Sequence, residues 1–78
     1  MRSLAVIAND IITDWKKPYF GAVPYLNAMR NLDTINDNYG SESAKTIVQY
    51  FLINASSWRG ENAKIIKKEL NDMLKSAK

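Results

Sequence analysis

Two carboxylates with a spacing suited to catalysis, Asp10 and Asp14, lie one helical turn apart in the sequence. At that spacing both side chains project from the same side of a helix, as general acid–base chemistry requires of a carboxylate pair. They also share the polar side of the predicted first helix with Asn9 and Thr13. Carboxylates in such a setting are typical of a solvated surface, and we interpret the pair in that way.

A second acidic group, Asp33, Asp37 and Glu42, straddles a predicted loop. It lacks the regular alternation and the closing glutamate of a calcium loop. The chain has no histidine and no cysteine, which excludes the usual catalytic triads, the common zinc sites and disulfides. Its three glycines are too far apart to form a phosphate-binding loop. We therefore predict that the protein is not an enzyme and needs no metal or other cofactor.

The C-terminal segment carries the excess of positive charge. Five basic residues balance five acidic ones before Trp58, whereas six basic and three acidic residues follow from Trp58 onward, giving the net charge of +3. Lys64, Lys67, Lys68 and Lys75, preceded by Arg59, can contact phosphates from the outer face of a helix. Acidic residues interrupt this group, however, and lysines on an outer helix face are usually there for solvation. Nucleic-acid binding by this face is therefore the alternative hypothesis.

The tetrad Trp58-Arg59-Gly60-Glu61 lies between two strongly helical segments. We predict that it is first a structural joint. Trp58 is expected to fold over the start of the fourth helix as a staple, Gly60 to allow a tight turn, and Glu61 to complement the helix dipole. A serine of the preceding pair Ser56-Ser57 is expected to cap the approaching chain.

Partner binding is the role we predict for Arg59, the one member of the tetrad with no structural duty assigned by the sequence. Most of the aromatic residues are expected in the core, but a minority exposed near Arg59 would form a protein-binding hot spot, where Trp, Tyr and Arg are enriched. The candidate partner-binding residues are Arg59, Trp58, Lys64, Lys67 and Lys68. A non-catalytic protein-binding module is the leading hypothesis.

We predict that helices position these residues, because apolar side chains recur at helical spacing and no segment shows the alternation that is typical of a strand. The first helix is predicted from Ser3, its N-cap, to Lys17, just before Pro18. Gly21, in the following joint, is expected to adopt a positive φ. Pro24 suits the first turn of a second, shorter helix, because its missing N–H costs nothing there.

The segment 33–40 is rich in turn-forming residues and is predicted to be a loop. Ile35 and Tyr39 within it are expected to fold back onto the core. Ser41 or Ser43 then caps a third helix that continues to about residue 55.

The third helix is apolar over most of its circumference once Tyr50 and Ile53 are included, so we predict that it is the central helix of the fold. The fourth helix is predicted from Gly60 or Glu61 to about Ser76, with one apolar stripe and a lysine-rich outer face.

The predicted fold is all-α: one compact four-helix domain over residues 1–78 with a central, almost fully apolar third helix. The hydrophobic fraction of 46% is ordinary for a globular chain, and we expect a monomer or a small homo-oligomer. The predicted core consists of Leu4, Ile7, Ile11, Trp15, Leu26, Met29, Ile47, Val48, Phe51, Leu52, Ile66, Leu70 and Leu74.

The location indicated by the sequence is the cytoplasm. No segment approaches the roughly 18 consecutive apolar residues of a membrane span. Asn9 and Asp10 interrupt the N-terminal apolar stretch before a signal-peptide core can develop. The absence of cysteine fits a reducing compartment.

Three stretches carry a resemblance to a known family: "YFGAVPYLNAM", "YGSESAKTIVQYFLINASSWRGENAKIIKKEL" and the closing "ML". Over nearly its whole length the chain resembles small proteins of unknown function from phages and prophages of Gram-positive bacteria such as Listeria, Staphylococcus and Enterococcus. The most specific parts are Phe20-Gly21-Ala22 and the tetrad at Trp58. The resemblance implies a phage or prophage accessory protein that acts inside the bacterial cell, with a host or phage protein as partner. It implies no activity, cofactor or site.

Overall fold

In residues 2–77, which the computed structural model describes, the chain forms four helices and one short β-hairpin. The elements are α1 (Leu4–Asp14), α2 (Val23–Met29), β1 (Asn38–Tyr39), β2 (Glu42–Ser43), α3 (Ala44–Ile53) and α4 (Glu61–Ser76). The predicted helical fold is confirmed, but the expectation that no strand forms is wrong. Met1 and Lys78, which the predicted domain includes, lie outside the described residues.

The start of α1 is held by its own cap and by a distant part of the chain. As predicted, the hydroxyl of Ser3 accepts a hydrogen bond from the backbone of the first turn. The amides of Leu4 and Ala5 donate to the carbonyls of Asp33, at 2.8 Å, and Leu32, at 3.0 Å. Because first-turn amides have no partner within their own helix, these long-range bonds satisfy groups that would otherwise depend on solvent.

The end of α1 comes earlier than predicted. The helix stops at Asp14 rather than Lys17, and Trp15 takes φ −94° and ψ 88°. Trp15 turns inward there and stacks on Trp58, leaving only 8% of its surface exposed. Pro18 disfavours helical geometry in the residue before it, which adds to the early stop.

Gly21, in the joint between α1 and α2, is closely packed. Among the described residues only Gly40 and Gly60 have a positive φ, so the prediction for Gly21 is wrong. A Cβ atom on Gly21 would lie 2.6 Å from the ring of Tyr19 and 2.9 Å from Oδ1 of Asn54. A side chain at this position would therefore require the side chains of Tyr19 and Asn54 to move.

The hairpin connects the loop after α2 to α3. Gly40, with φ 61°, occupies the first position of the two-residue connection, where II′ hairpins require a positive φ. Ser43, not Ser41, caps α3 through its side-chain oxygen. Ile35 is buried as predicted, whereas Tyr39 is 45% exposed and does not fold back onto the core.

The helices pack around a shared core rather than around α3. α1 packs mainly against α2 and α4, and α3 packs against the same two helices. Tyr50 and Ile53 are 47% and 70% exposed, so one side of α3 faces solvent. The prediction that α3 is the central helix is therefore wrong, although three of its four buried residues, Ile47, Val48 and Phe51, were predicted as core.

The predicted core is buried except for Leu52 and Leu74, which are half-buried at its edge. Trp58, Met73 and several alanines complete it. No helix in residues 2–77 combines the length and the apolar content needed to cross a membrane.

Candidate binding surfaces

Trp58 lies inside the joint between α3 and α4, with 2% of its surface exposed. Its ring stacks on Trp15 with 5.9 Å between centroids and 16° between planes, and it meets Phe51 edge-on at 6.3 Å. The indole Nε1 donates to Asp14 Oδ2 at 2.8 Å. The hydrogen bonds from Asn62 and then Trp58 lower the pKa of Asp14. This burial agrees with a structural joint, and it removes Trp58 from the partner-binding candidates.

The rest of the joint differs from the sequence prediction in detail. Gly60 is the N-cap of α4 with φ 114° and ψ 178°, a conformation open essentially to glycine alone. No atom lies within 4 Å of the position its Cβ would take, so the backbone angle, not a tight turn, requires the glycine. Neither Ser56 nor Ser57 caps α4, because its N-cap has no side-chain hydrogen bond. Glu61 lies in the first turn, as predicted.

Lys67 belongs to the joint rather than to an open helix face. Its Nζ donates to the carbonyl of Trp58 at 2.6 Å and lies 5.8 Å from the centroid of the Trp58 rings. Burial, and next the charge of Arg59, lower the pKa of Lys67. Arg59 itself is exposed, and its side chain makes no hydrogen bond or ion pair within residues 2–77. Of these two candidates, only Arg59 lies free for a partner.

The lysines of α4 keep the spacing of the predicted lysine-rich face. Lys67 and Lys68 follow Lys64 by three and four positions, and residues at that separation share a side of a helix. Asn71 and Leu74 line a groove between α3 and α4, and the lining of this groove includes none of the α4 lysines.

The side of α4 nearer α1 carries the acidic residues. Glu69 lines the groove between α1 and α4, and Asp72 lies beside it with Ile65 and Lys68. Glu61 is one turn before Ile65 and falls on the same side. Lys68 Nζ lies 3.0 Å from Asp72 Oδ2, so this lysine is paired with the acidic side.

Arg2 closes the groove between α1 and α4, a role that the sequence did not reveal. Its Nη2 and Nε donate to the Glu69 carboxylate at 2.6 and 3.1 Å, and it also pairs with Asp10. These hydrogen bonds raise the pKa of Arg2 above its usual range. Asp10 and Asp14 thus each have a separate structural partner. Within the described residues, no three side chains of metal-ligating type converge.

Four exposed large apolar side chains form what we call the apolar patch: Tyr19, Phe20, Tyr50 and Ile53. Phe20 is 78% and Ile53 70% exposed. The rings of Tyr19 and Phe20 are in contact, with 4.8 Å between centroids. Asn54 connects the two halves, because it approaches Gly21 beside Tyr19 and donates to the carbonyl of Tyr50 at 2.8 Å. The patch therefore has two parts, one at the α1–α2 joint and one on α3, with the polar Asn54 between them.

The groove between α3 and α4 adjoins this patch. Tyr50 and Ile53 belong to both, and Leu52 and Leu74 contribute further apolar surface to the groove. Its volume of about 540 Å³ is within the range of ligand pockets, but it is open along its length. An open groove between two helices suits an elongated partner better than an enclosed small molecule.

Comparisons with family models, with curated proteins and with solved structures give no match to this chain. The resemblance to phage and prophage proteins therefore stays a prediction, and the functional argument depends on the surfaces described above.

Proposed function

We propose that the chain is a non-catalytic protein-binding module that acts through the apolar patch. The observation that supports this most is the exposure of Phe20 and Ile53, at 78% and 70%, the two highest values among the large apolar side chains of the described residues. Exposed apolar side chains that cluster on a small protein are typical of an interaction site. Aromatic residues, which supply most of this patch, are also enriched at binding hot spots.

The biological setting we propose is that of an accessory protein in the cytoplasm of a bacterial host, with a host or phage protein as partner. The sequence resemblance supports this setting. Arg59 is proposed to contact the partner at the edge of the interface, because its side chain is exposed beside the buried joint. Rim charges of this kind change association rates more than affinity.

The test compares two isoleucines on opposite sides of the molecule. Ile53, in the apolar patch, and Ile65, near the α1/α4 groove, are 70% and 59% exposed. The full chain and its Ile53→Ser, Phe20→Ser and Ile65→Ser variants are cross-linked in lysate of a Gram-positive bacterium, and captured proteins are quantified. We expect Ile53→Ser and Phe20→Ser to lose a protein that Ile65→Ser retains.

The result that contradicts the proposal is equal capture by Ile53→Ser and Ile65→Ser. Titration with duplex and single-stranded DNA runs in parallel. Binding to DNA that weakens steeply with salt and is unaffected by Ile53→Ser would favour the nucleic-acid alternative, because phosphate contacts release counterions.

A further inference from the structure

The apolar patch lies on parts of the chain that carry no acidic residue. Its four members belong to two segments, 15–32 and 44–60, which include the whole of α2 and α3. These segments contain five of the 11 basic residues and none of the 8 acidic ones. The rest of the chain holds the other six basic residues and all 8 acidic ones. Because α2 and α3 pack against each other, the patch lies on a part of the fold whose net charge is positive.

Lys16 and Lys17 are the charged residues nearest to the aromatic part of the patch along the chain. Both are exposed, and neither makes a hydrogen bond or an ion pair within residues 2–77. The Cα atoms of Lys17 and Tyr19 lie within about 7 Å of each other, the most that two residues can span. Asp14, the nearest acidic residue in the chain, lines the α1/α4 groove, where its carboxylate is already hydrogen-bonded. The two lysines therefore lie free beside the aromatic part of the patch.

We infer that the apolar patch binds an acidic segment of the partner protein that carries aromatic or aliphatic anchors. The inference rests on the proposed function and specifies the chemistry of the partner at the same site. The anchors would contact Phe20 and Ile53, the most exposed members of the patch, and carboxylates of the segment would face Lys16 and Lys17. An extended chain advances about 3.3 Å per residue, so carboxylates about two to four residues from an anchor would come level with these lysines.

Single-stranded nucleic acid fits this surface less well. Binding without sequence preference uses exposed aromatic faces on which successive bases stack. The rings of Tyr19 and Phe20 are tilted by 54° to each other. The ring of Tyr50 already packs against Tyr25, with 5.7 Å between centroids, and Ile53 has no aromatic face. The patch therefore lacks the parallel platforms that consecutive bases would need.

A lipid surface also fits less well, because a polar side chain lies between the two parts of the patch. Asn54 Nδ2 donates to the carbonyl of Tyr50, but no donor within residues 2–77 bonds to Asn54 Oδ1. Transfer of an unpaired amide oxygen into hydrocarbon costs free energy, whereas a backbone N–H of a protein partner can pair with it. This acceptor and the positive charge around it together favour an acidic protein segment.

The experiment selects peptides for the full chain. Random peptides of about 12 residues, which span about 40 Å when extended, exceed the longest dimension of the molecule, 29 Å. They are selected by mRNA display against the immobilised chain, and the composition of the enriched peptides is compared with that of the starting library. The most enriched peptide is labelled and titrated by fluorescence anisotropy. Vesicles of phosphatidylglycerol and a thymidine oligonucleotide are tested as competitors.

Two pairs of variants match a change in or beside the patch with the same change elsewhere. Ile53→Ser is compared with Ile65→Ser, and Lys17→Glu with Lys68→Glu. Ile65 and Lys68 lie together on the surface of α4, and no member of the patch lines the pockets that contain them. The loss of the exposed pair between Lys68 and Asp72 is expected to change stability little. Phe20→Ser tests the aromatic part of the patch.

We expect enriched peptides with more Asp and Glu than the library, together with at least one aromatic or aliphatic anchor. Phe20→Ser and Ile53→Ser should each weaken the best peptide at least about tenfold. Lys17→Glu should weaken it about three- to tenfold at low salt and less at about 0.5 M NaCl, because salt screens exposed charges. Ile65→Ser and Lys68→Glu should leave the affinity unchanged.

Several results would overturn the inference: no enrichment, full affinity in both Phe20→Ser and Ile53→Ser, or equal weakening by Lys17→Glu and Lys68→Glu. Displacement of the peptide by the vesicles or the oligonucleotide would assign the patch to lipid or to nucleic acid. Enrichment of neutral or basic peptides would also refute the acidic partner. If such peptides still lost binding in Phe20→Ser, the proposed protein-binding function would stand, so the two failures are distinguishable.

Discussion

Replacement of Trp58 by alanine is the most informative perturbation of the fold. The side chain is 2% exposed and contacts the rings of Trp15 and Phe51, so it joins the end of α1, the end of α3 and the start of α4. Its neighbour Arg59 is exposed and provides the matched control. The Trp58→Phe variant is expected to have an intermediate stability, because it keeps an aromatic ring but removes the hydrogen bond to Asp14.

The expected losses follow from burial. Truncation of a buried aromatic residue to alanine costs about 3–5 kcal/mol. Trp58→Phe should cost about 1–2 kcal/mol, from one hydrogen bond and imperfect packing. Arg59→Ala should stay within about 0.5 kcal/mol of the parent. A chain of 78 residues has a total stability of about 4–12 kcal/mol, so Trp58→Ala removes a large share of it.

Thermal and urea unfolding monitored by far-UV circular dichroism measure these differences. At about 4–8 °C per kcal/mol for a domain of this size, Trp58→Ala should melt at least about 12 °C below the parent. An unfolding free energy of Trp58→Ala within about 0.5 kcal/mol of the Arg59→Ala value would show that the stacked tryptophans do not stabilise the core.

Three further predictions concern single contacts. Gly60→Ala should lower the urea midpoint by an amount equivalent to about 1–3 kcal/mol, because φ 114° strains any side chain, and an unchanged midpoint would contradict this. Lys67→Ala should cost about 1 kcal/mol through its bond to a backbone carbonyl, measured against Lys64→Ala, which should be nearly neutral. Hydrogen bonds lower the pKa values of Asp14 and Asp37 in the folded state, so their stabilisation is complete above the ordinary value of 3.8 and is lost as the pH falls below it. Melting temperatures measured from pH 5 to pH 2 should therefore fall less steeply in Asp14→Asn, and parallel curves would refute this.

The helices were largely predictable because their signals are local. Apolar periodicity identified the buried residues of each helix, and Ser3 marked the start of α1. The bounds of α4 followed from the glycine at residue 60 and the acidic first turn. These features depend on neighbours within about one turn, which a single sequence displays directly.

The early end of α1 and the hairpin depend on contacts that the sequence does not display. Trp15 leaves the helix to meet Trp58, a residue far along the chain. The strands are too short to show alternation, and the turn-forming residues of the segment 33–40 indicated a loop rather than a hairpin. The exposure of Tyr50 and Ile53 could not be predicted either, because an apolar residue at the edge of a helix stripe is buried only if another element covers it.

The candidate site was predictable in part. Arg59 and Lys64 are exposed as expected, whereas Trp58 and Lys67 are part of the joint. The shared side of the α4 lysines was present in the spacing, because Lys67 and Lys68 follow Lys64 by three and four positions. Which side faces a groove depends on packing against α3, and that requires the structure.

The anchoring of α1 at both ends has a consequence for synthesis on the ribosome. The first amides of α1 can form their hydrogen bonds only after Leu32 and Asp33 have been synthesised. Trp15, at the end of α1, can stack only after Trp58 has been synthesised. Closing such long loops costs entropy that local helix formation does not recover. α1 leaves the ribosome before α2, α3 and α4 and therefore acquires its native ends only after most of the described residues have followed, so nascent chains truncated before Trp58 hold α1 as an unanchored segment.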